Sequence, residues 1–299
     1  MNNPPEMRFG FGRNWQQFVR RNFNRERCEI AKQRLLRFAG RDSLAGVDFL
    51  DVGCGSGLHS LAAHEAGARR VFSFDYDPNS VEASKFLWRY AGCPANWQIE
   101  RGDALDTGYV ENLGKWAFVY SWGVLHHTGD VWQAIRNVQA TVADEGYYYV
   151  ALYSADVQPQ KEFWLDIKRK YNESGWATRE RLTWWYIWEY CLNKDFRKVP
   201  SFVSRVLGYR KQRGMNLFTD VRDWLGGWPM EFVYDQDVVD LLEKDYQFAL
   251  TNIATGEACT EFLFKRMASR QMQRTIVADF VAGGHTDAGE LAGSTSTAS

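Results

Sequence analysis

The sequence predicts an α/β fold, a parallel sheet with helices on both faces. Two observations carry this prediction. Short apolar runs alternate with helix-length amphipathic stretches between residues 48 and 153. Glycines then stand at every second position, Gly53, Gly55 and Gly57, directly after the first apolar run.

The elements follow in order. Apolar positions at Trp15, Phe18, Val19, Phe23, Ile30, Leu35 and Phe38, set in an Arg-rich run, predict one or two amphipathic helices over 14–39. Asp48–Val52 is a buried strand, and Leu58–Ala66 is a helix closed by Gly67. Val71–Phe74 is a second strand. Asp77-Pro78 opens a helix running to Tyr90. Trp97–Glu100, Phe118–Ser121 and Tyr147–Leu152 read as further strands, with a helix over Asp130–Val142 before the last. The alternation then breaks. Residues 156–230 read as mostly helical and hold seven of the chain's 13 Trp. A helix at Gln236–Lys244 and strands at Gln247–Ile253 and Glu261–Phe264 close the fold. Gly283–Ser299 is poor in bulky side chains and reads as disordered. This divides the chain into an N-terminal helical cap segment (1–41), a core (42–155), a Trp-rich insertion (156–235), closing elements (236–268) and a tail (269–299).

Composition narrows the function. The 299 residues carry 36 Lys and Arg against 37 Asp and Glu, a net charge of -1, which argues against a generic nucleic-acid binder. No apolar run reaches the roughly 20 residues a membrane-spanning helix needs. No secretory signal is visible, and the five scattered Cys read as reduced thiols, so a cytoplasmic location is expected. No metal-ligand spacing stands out. The charge is unevenly placed: +7 over 1–41, -8 over 42–160, +7 over 161–214 and -7 over 215–299.

Three features fall at three successive strand ends. The glycine loop Asp51-Val-Gly53-Cys-Gly55-Ser-Gly57 lets the chain turn into a helix and lets a ligand approach the backbone. Its spacing is not the G-x-G-x-x-G of dinucleotide sites, because Leu58 stands at the sixth position. Asp75 ends the second strand, where an acid can accept two ribose hydroxyls. Asp103, in Gly102-Asp103-Ala104, follows the third strand and could receive an exocyclic amine.

With VDFLDVGCGSG, FSFDYDP, GDAL and FVYSWGVLHHT in place, residues 47–153 resemble the class I S-adenosylmethionine-dependent methyltransferases. They are most similar to the small-molecule type with a G-V-L-H-H-T segment. The resemblance implies a Rossmann-like, seven-stranded, mostly parallel sheet with the last strand antiparallel. It also implies S-adenosylmethionine as cofactor. The methionine part would lie over Asp51, Gly53 and Gly55, the ribose on Asp75, and the adenine near Tyr76, Asp103 and Ala104, with Gly57 also in the cofactor loop. The strand-four loop, Ser121 and Trp122 onward, would face the methyl group. The segment from Arg213 to Glu231 resembles a variable group of bacterial methyltransferases and fixes no substrate.

A hydroxyl acceptor needs its proton removed, and His126 and His127 are the imidazoles in that loop. Either is a candidate general base, and either could instead only brace the loop. The segment Phe9–Arg20 and the insertion would form a cap, with Trp15, Trp184 and Trp188 as candidate substrate-contacting aromatics. Two basic segments over the site favour an anionic acceptor. The resulting expectation is a small-molecule methyltransferase acting on an anionic metabolite at a hydroxyl. RNA methylation and a cofactor-binding protein without turnover remain as alternatives; nucleic acid is the less favoured partner, since Ser121-Trp-Gly stands where an amino-methylating Asn/Asp-Pro-Pro-Tyr motif would.

Overall fold

The computed structural model describes residues 9–268, apart from 159, 205, 207–216 and 257. The tail beyond 268, including the stretch read as disordered, lies outside the described residues. Seven strands form one sheet: β1 Asp48–Val52, β2 Arg70–Asp75, β3 Trp97–Arg101, β4 Trp116–Trp122, β5 Val142–Tyr153, β6 Phe248–Thr255 and β7 Cys259–Arg266. Their order is β3-β2-β1-β4-β5-β7-β6. The first five pair in parallel, and β7 runs antiparallel to both β5 and β6. The Rossmann-like architecture implied by the resemblance is present. Strand order reverses between β1 and β4, so a crevice opens at the carboxyl ends of these strands.

Successive residues of a strand face opposite sides. Phe49, Phe118, Tyr120 and Tyr149 enter a core shared with α1 Gly12–Arg21, α2 Arg25–Ala39, α3 Leu58–Glu65 and α4 Pro78–Tyr90. Leu50, Val52, Val119, Tyr148 and Val150 enter the opposite core, against α6 Val131–Gln139. Both faces are covered, which is why these strands read as nearly continuous apolar runs. Helix starts follow from side-chain caps. Asn24, Asp77 and Asp130 each accept a backbone N–H from the first turn of α2, α4 and α6.

Between α6 and β5 both boundaries differ from the sequence expectation. The helix expected over 130–142 stops at Gln139, and β5 begins at Val142, not Tyr147. Trp116 draws Thr141 and Val142 into the sheet: its N–H donates to the Thr141 carbonyl at 2.8 Å, and Val142 pairs with it. The short helix α5, Thr107–Asn112, gave no periodic signal; Asp106 starts it by accepting the Tyr109 N–H at 3.0 Å.

The chain leaves the sheet after β5 into α7 Lys161–Glu173, α8 Trp176–Tyr186 and α9 Leu217–Gly226. These helices have their own core of Trp164, Tyr171, Ile187, Leu192, Val221 and Leu225. The chain rejoins β5 where Val233 donates to the Tyr153 carbonyl at 3.0 Å. A short helix α10, Asp235–Asp240, leads into β6. No helix among the described residues is long and apolar enough to cross a membrane.

Candidate active site

The glycine loop is sewn to the end of β2. The N–H groups of Gly53 and Cys54 both donate to the Phe74 carbonyl, at 2.8 and 3.0 Å. The Gly55 N–H donates to Asp75 Oδ2 and the Asp77 N–H to Asp75 Oδ1, each at 2.9 Å. All three loop glycines have positive φ. Gly57 also lies too close to Ser84 for a side chain: a Cβ there would sit 2.2 Å from Ser84 Oγ. Its φ of +78° and this contact let α3 start against α4.

Two carboxyls at this loop are held above their usual range. Asp75 is raised to about 6, chiefly by burial, with the Asp77 and Gly55 N–H groups pulling the other way. Two amide donors therefore do not replace the water it lost. Asp51 is 2% exposed and raised to about 7, again chiefly by burial. It accepts the Ser60 hydroxyl. Ser60 in turn accepts from Ser73 at 2.8 Å, and Ser73 from Trp97 Nε1 at 2.9 Å. A buried chain of hydrogen bonds so runs from β3 to the acid at the end of β1.

The next turn carries Asp103, whose Oδ1 accepts the Leu105 N–H at 2.9 Å, and the buried Ala104. Tyr109 of α5 lies over Gly102, and its ring meets Phe74 edge-on at 5.2 Å. The Tyr109 hydroxyl is buried with no hydrogen-bond partner among the described residues. Tyr76 stands half-exposed beside Asp75, with the Arg101 guanidinium 5.6 Å from its ring centre.

The loop after β4 holds the two histidines in opposite tautomers. His126 is buried, and its Nδ1 accepts the Tyr153 N–H at 3.1 Å, so its proton is on Nε2. His127 Nδ1 lies 2.7 Å from the Pro229 carbonyl, an oxygen that can only accept. His127 therefore carries its proton on Nδ1 and a lone pair on Nε2. Burial lowers both, His127 to about 4 despite the Pro229 bond, so both are neutral near pH 7.

The segment following α9 positions this loop. The Glu231 N–H donates to the His126 carbonyl at 2.9 Å, and Glu231 Oε2 accepts the Val131 N–H at 3.0 Å. Asn172 of α7 donates to the Gly226 carbonyl at 2.8 Å. Lys168 of α7 is 1% exposed, donates to the Trp224 carbonyl, and has Nζ 4.2 Å from the Trp224 ring centre. Burial alone lowers Lys168 to about 7.

The N-terminal strap spans from the insertion to the glycine loop. The Phe9 N–H donates to the Trp228 carbonyl at 2.8 Å, and Asn14 donates to Asp223. Phe11 lies 5.1 Å from His127, ring to ring. The Gly12 N–H donates to Asp77 Oδ2 at 2.9 Å, and a Cβ on Gly12 would come within 2.6 Å of the Ser80 nitrogen. Trp15 Nε1 lies 3.2 Å from where a Gly55 Cβ would be.

The structure thus brings Asp51, Gly53, Gly55, Gly57, Asp75, Tyr76, Asp103 and Ala104 to one rim of the sheet, with His126, His127 and Trp15 beside them. Ser121 reaches the same rim: it is fully buried and donates to the Val52 carbonyl at 3.2 Å, tying β4 to β1 beside the glycine loop. Trp122 is partly exposed, with the Arg34 guanidinium 6.0 Å from its ring centre. Trp184 is 56% exposed against Phe218, and Trp188 packs on Phe196 at 4.4 Å. Neither has a ring contact with the histidine loop among the described residues. The sequence alone assigns no role to Lys168, Tyr109, Trp224, Pro229 or Glu231. Trp224, Pro229 and Glu231 lie in the 213–231 segment singled out in the sequence, and Lys168 stands four residues after Trp164 and three before Tyr171, on the buried stripe of α7.

Comparison with known proteins agrees with this geometry. A family model described as a methyltransferase domain matches residues 21–208, more than half of the chain. The chain is 26% identical over 171 residues to a ubiquinone biosynthesis O-methyltransferase of Methylobacterium sp. (strain 4-46), covering 56% of this chain and 66% of that protein. It is 31% identical over 107 residues to a tRNA U34 carboxymethyltransferase of Idiomarina loihiensis, covering 35% of this chain and 32% of that one. These matches span less than two thirds of either relative. A solved O-methyltransferase family protein from Burkholderia thailandensis superposes with a TM-score of 0.53 at 10% identity, over 87% of this chain and 59% of that chain; this likeness concerns the fold. The family match, the strand order and the acid-tipped glycine loop together establish that the chain belongs to the class I S-adenosylmethionine-dependent methyltransferases.

Proposed function

We propose that this protein methylates a hydroxyl of a small anionic acceptor, with His127 as general base. The observation that carries the reading is the His127 Nδ1–H bond to the Pro229 carbonyl. It fixes the tautomer whose Nε2 can take a proton, whereas His126 has its proton on Nε2.

The residues at the loop fit the cofactor. Asp75, with its carboxyl raised by burial, is completed by a ribose diol. The unpartnered Tyr109 hydroxyl and Asp103 suit the base, and the Gly53–Gly57 backbone suits the amino-acid end. S-Adenosylmethionine supplies, when bound, a methyl already activated on a sulfonium. The protein's part is then to orient the acceptor, exclude water and accept a proton at His127 Nε2. The strap over Gly55 and His127 and the 223–231 segment serve the first two tasks. A base held to about 4 suits an acidic hydroxyl such as a phenol or enol better than an alkyl alcohol. The similarity to the Methylobacterium ubiquinone biosynthesis O-methyltransferase supports the choice of oxygen.

The test is a labelled-methyl screen of lysate fractions with the purified protein, with and without ribonuclease. Label in a ribonuclease-resistant, base-stable ether of a small acidic metabolite is the expected result. Label lost with ribonuclease favours RNA methylation, and no label with tight cofactor binding favours a protein without turnover.

A further inference from the structure

We propose that Lys168, Trp224 and His126 form an anion-receiving subsite and that the acceptor's charged group is a carboxylate. The proposal rests on the methyl-transfer reading above and names the substrate class of that site.

A buried ammonium and two buried N–H donors without partners lie among side chains in mutual contact. The Lys168 ammonium has three N–H groups, is 1% exposed, and bonds the Trp224 carbonyl. The Trp224 Nε1–H is buried with no partner among the described residues. The same holds for His126 Nε2, which must carry the proton because Nδ1 accepts the Tyr153 N–H. The donors are linked by ring contacts. Trp224 meets Tyr153 edge-on at 6.0 Å, and Tyr153 lies 4.0 Å from His126. Buried polar groups normally find a partner, so donors left open in one neighbourhood point to an acceptor brought by a ligand.

Among the described residues no acid offsets the Lys168 charge: Asp223 accepts from Asn14, Glu231 from the Val131 N–H, Asp166 pairs with Arg169 at 3.5 Å, and Asp220, one turn before Trp224 on α9, exerts no pull on Lys168, which burial alone shifts. Burying an ammonium without a counter-charge is costly, and here it lowers Lys168 to about 7. An arriving carboxylate restores the charged form. One ammonium and two neutral N–H groups match one negative charge shared by two oxygens. A phosphate dianion would leave a charge uncompensated. The surrounding rings of Tyr153, Trp164 and Trp224 suit a planar acceptor, so a hydroxylated aromatic carboxylate fits both the subsite and the base.

The experiment is calorimetry on the full chain with benzoate, its neutral analogue benzamide, and inorganic phosphate. It is run on wild type, Lys168→Met and Trp224→Phe. S-Adenosylhomocysteine affinity reports whether each variant keeps its core. Benzoate binding to wild type, at least tenfold weaker binding to Lys168→Met and undetectable benzamide binding are expected. Trp224→Phe should weaken benzoate several-fold and decides the matter if Lys168→Met fails to fold. Unchanged benzoate affinity in the variants, equal binding of benzamide, preference for phosphate, or no benzoate binding would each overturn the subsite. Cofactor binding without benzoate uptake removes this subsite alone. Benzoate uptake with no transfer to any hydroxyl acceptor removes the functional reading alone.

Discussion

His127 donates its Nδ1–H to the Pro229 carbonyl at 2.7 Å, across 102 residues of sequence. One bond therefore sets the His127 tautomer from the far end of the insertion. The neighbouring His126 takes the opposite tautomer from the backbone of Tyr153.

Replacing the base should separate binding from turnover. His127→Gln is expected to lower kcat by about 10²–10⁴-fold with unchanged S-adenosylmethionine affinity. Methyl transfer into the acceptor fraction and calorimetry measure the two quantities. Unchanged kcat would remove His127 from the chemistry.

Asp51 should make the cofactor-free protein less stable as pH rises. Its folded value of about 7 lies above the ordinary carboxyl value of 3.8, so the native state binds the extra proton between them. Stability from this group is complete below about 4 and is lost as pH rises toward 7. Asp51→Asn removes that loss and should raise stability at pH 8 by on the order of 2–4 kcal/mol. Urea denaturation of both proteins from pH 4 to 8 tests it. The histidines contribute the opposite slope in both proteins, so the difference between the two curves reports Asp51 together with its repulsion of Asp75.

Gly57→Ala should destabilise the fold by about 2–3 kcal/mol from its positive φ and crowding. The added Cβ would lie 2.2 Å from Ser84 Oγ and 2.8 Å from Ser84 Cα. Combining it with Ser84→Ala should recover only part of the loss, because the backbone contact and the φ strain stay. Full recovery in chemical denaturation would show that strain contributes little.

Glu231→Ala should cost about 1 kcal/mol by leaving the Val131 N–H at the start of α6 unpartnered. Glu231→Gln keeps an acceptor and should lose less. Amide exchange at Val131 reads the effect directly: faster exchange is expected in the Ala variant, and equal rates in all three proteins would contradict the role of the side chain.

The rim built by the glycine loop and its acids was legible because its signals are local. Gly53, Gly55 and Gly57 need positive φ within one turn, and Asp75 and Asp103 each end a recognisable strand. The insertion was legible only as helical and aromatic. Trp184 and Trp188 drew attention by density, yet they pack within the insertion, while Trp224 reaches the histidine loop through Tyr153. Density along a chain does not say which ring faces which neighbour.

The sequence by itself determined the alternation of strands and helices, the glycine turn with its acids, and the presence of two histidines after β4. Periodicity and backbone conformation are properties of neighbouring residues, so they can be read in one dimension. Only the tertiary structure decided which histidine holds a free lone pair on Nε2, that Lys168 is buried beside Trp224 with no acidic partner among the described residues, and that Phe9–Trp15 bridges the insertion and the glycine loop. Each depends on a partner set by packing, and most of those partners lie far away in sequence.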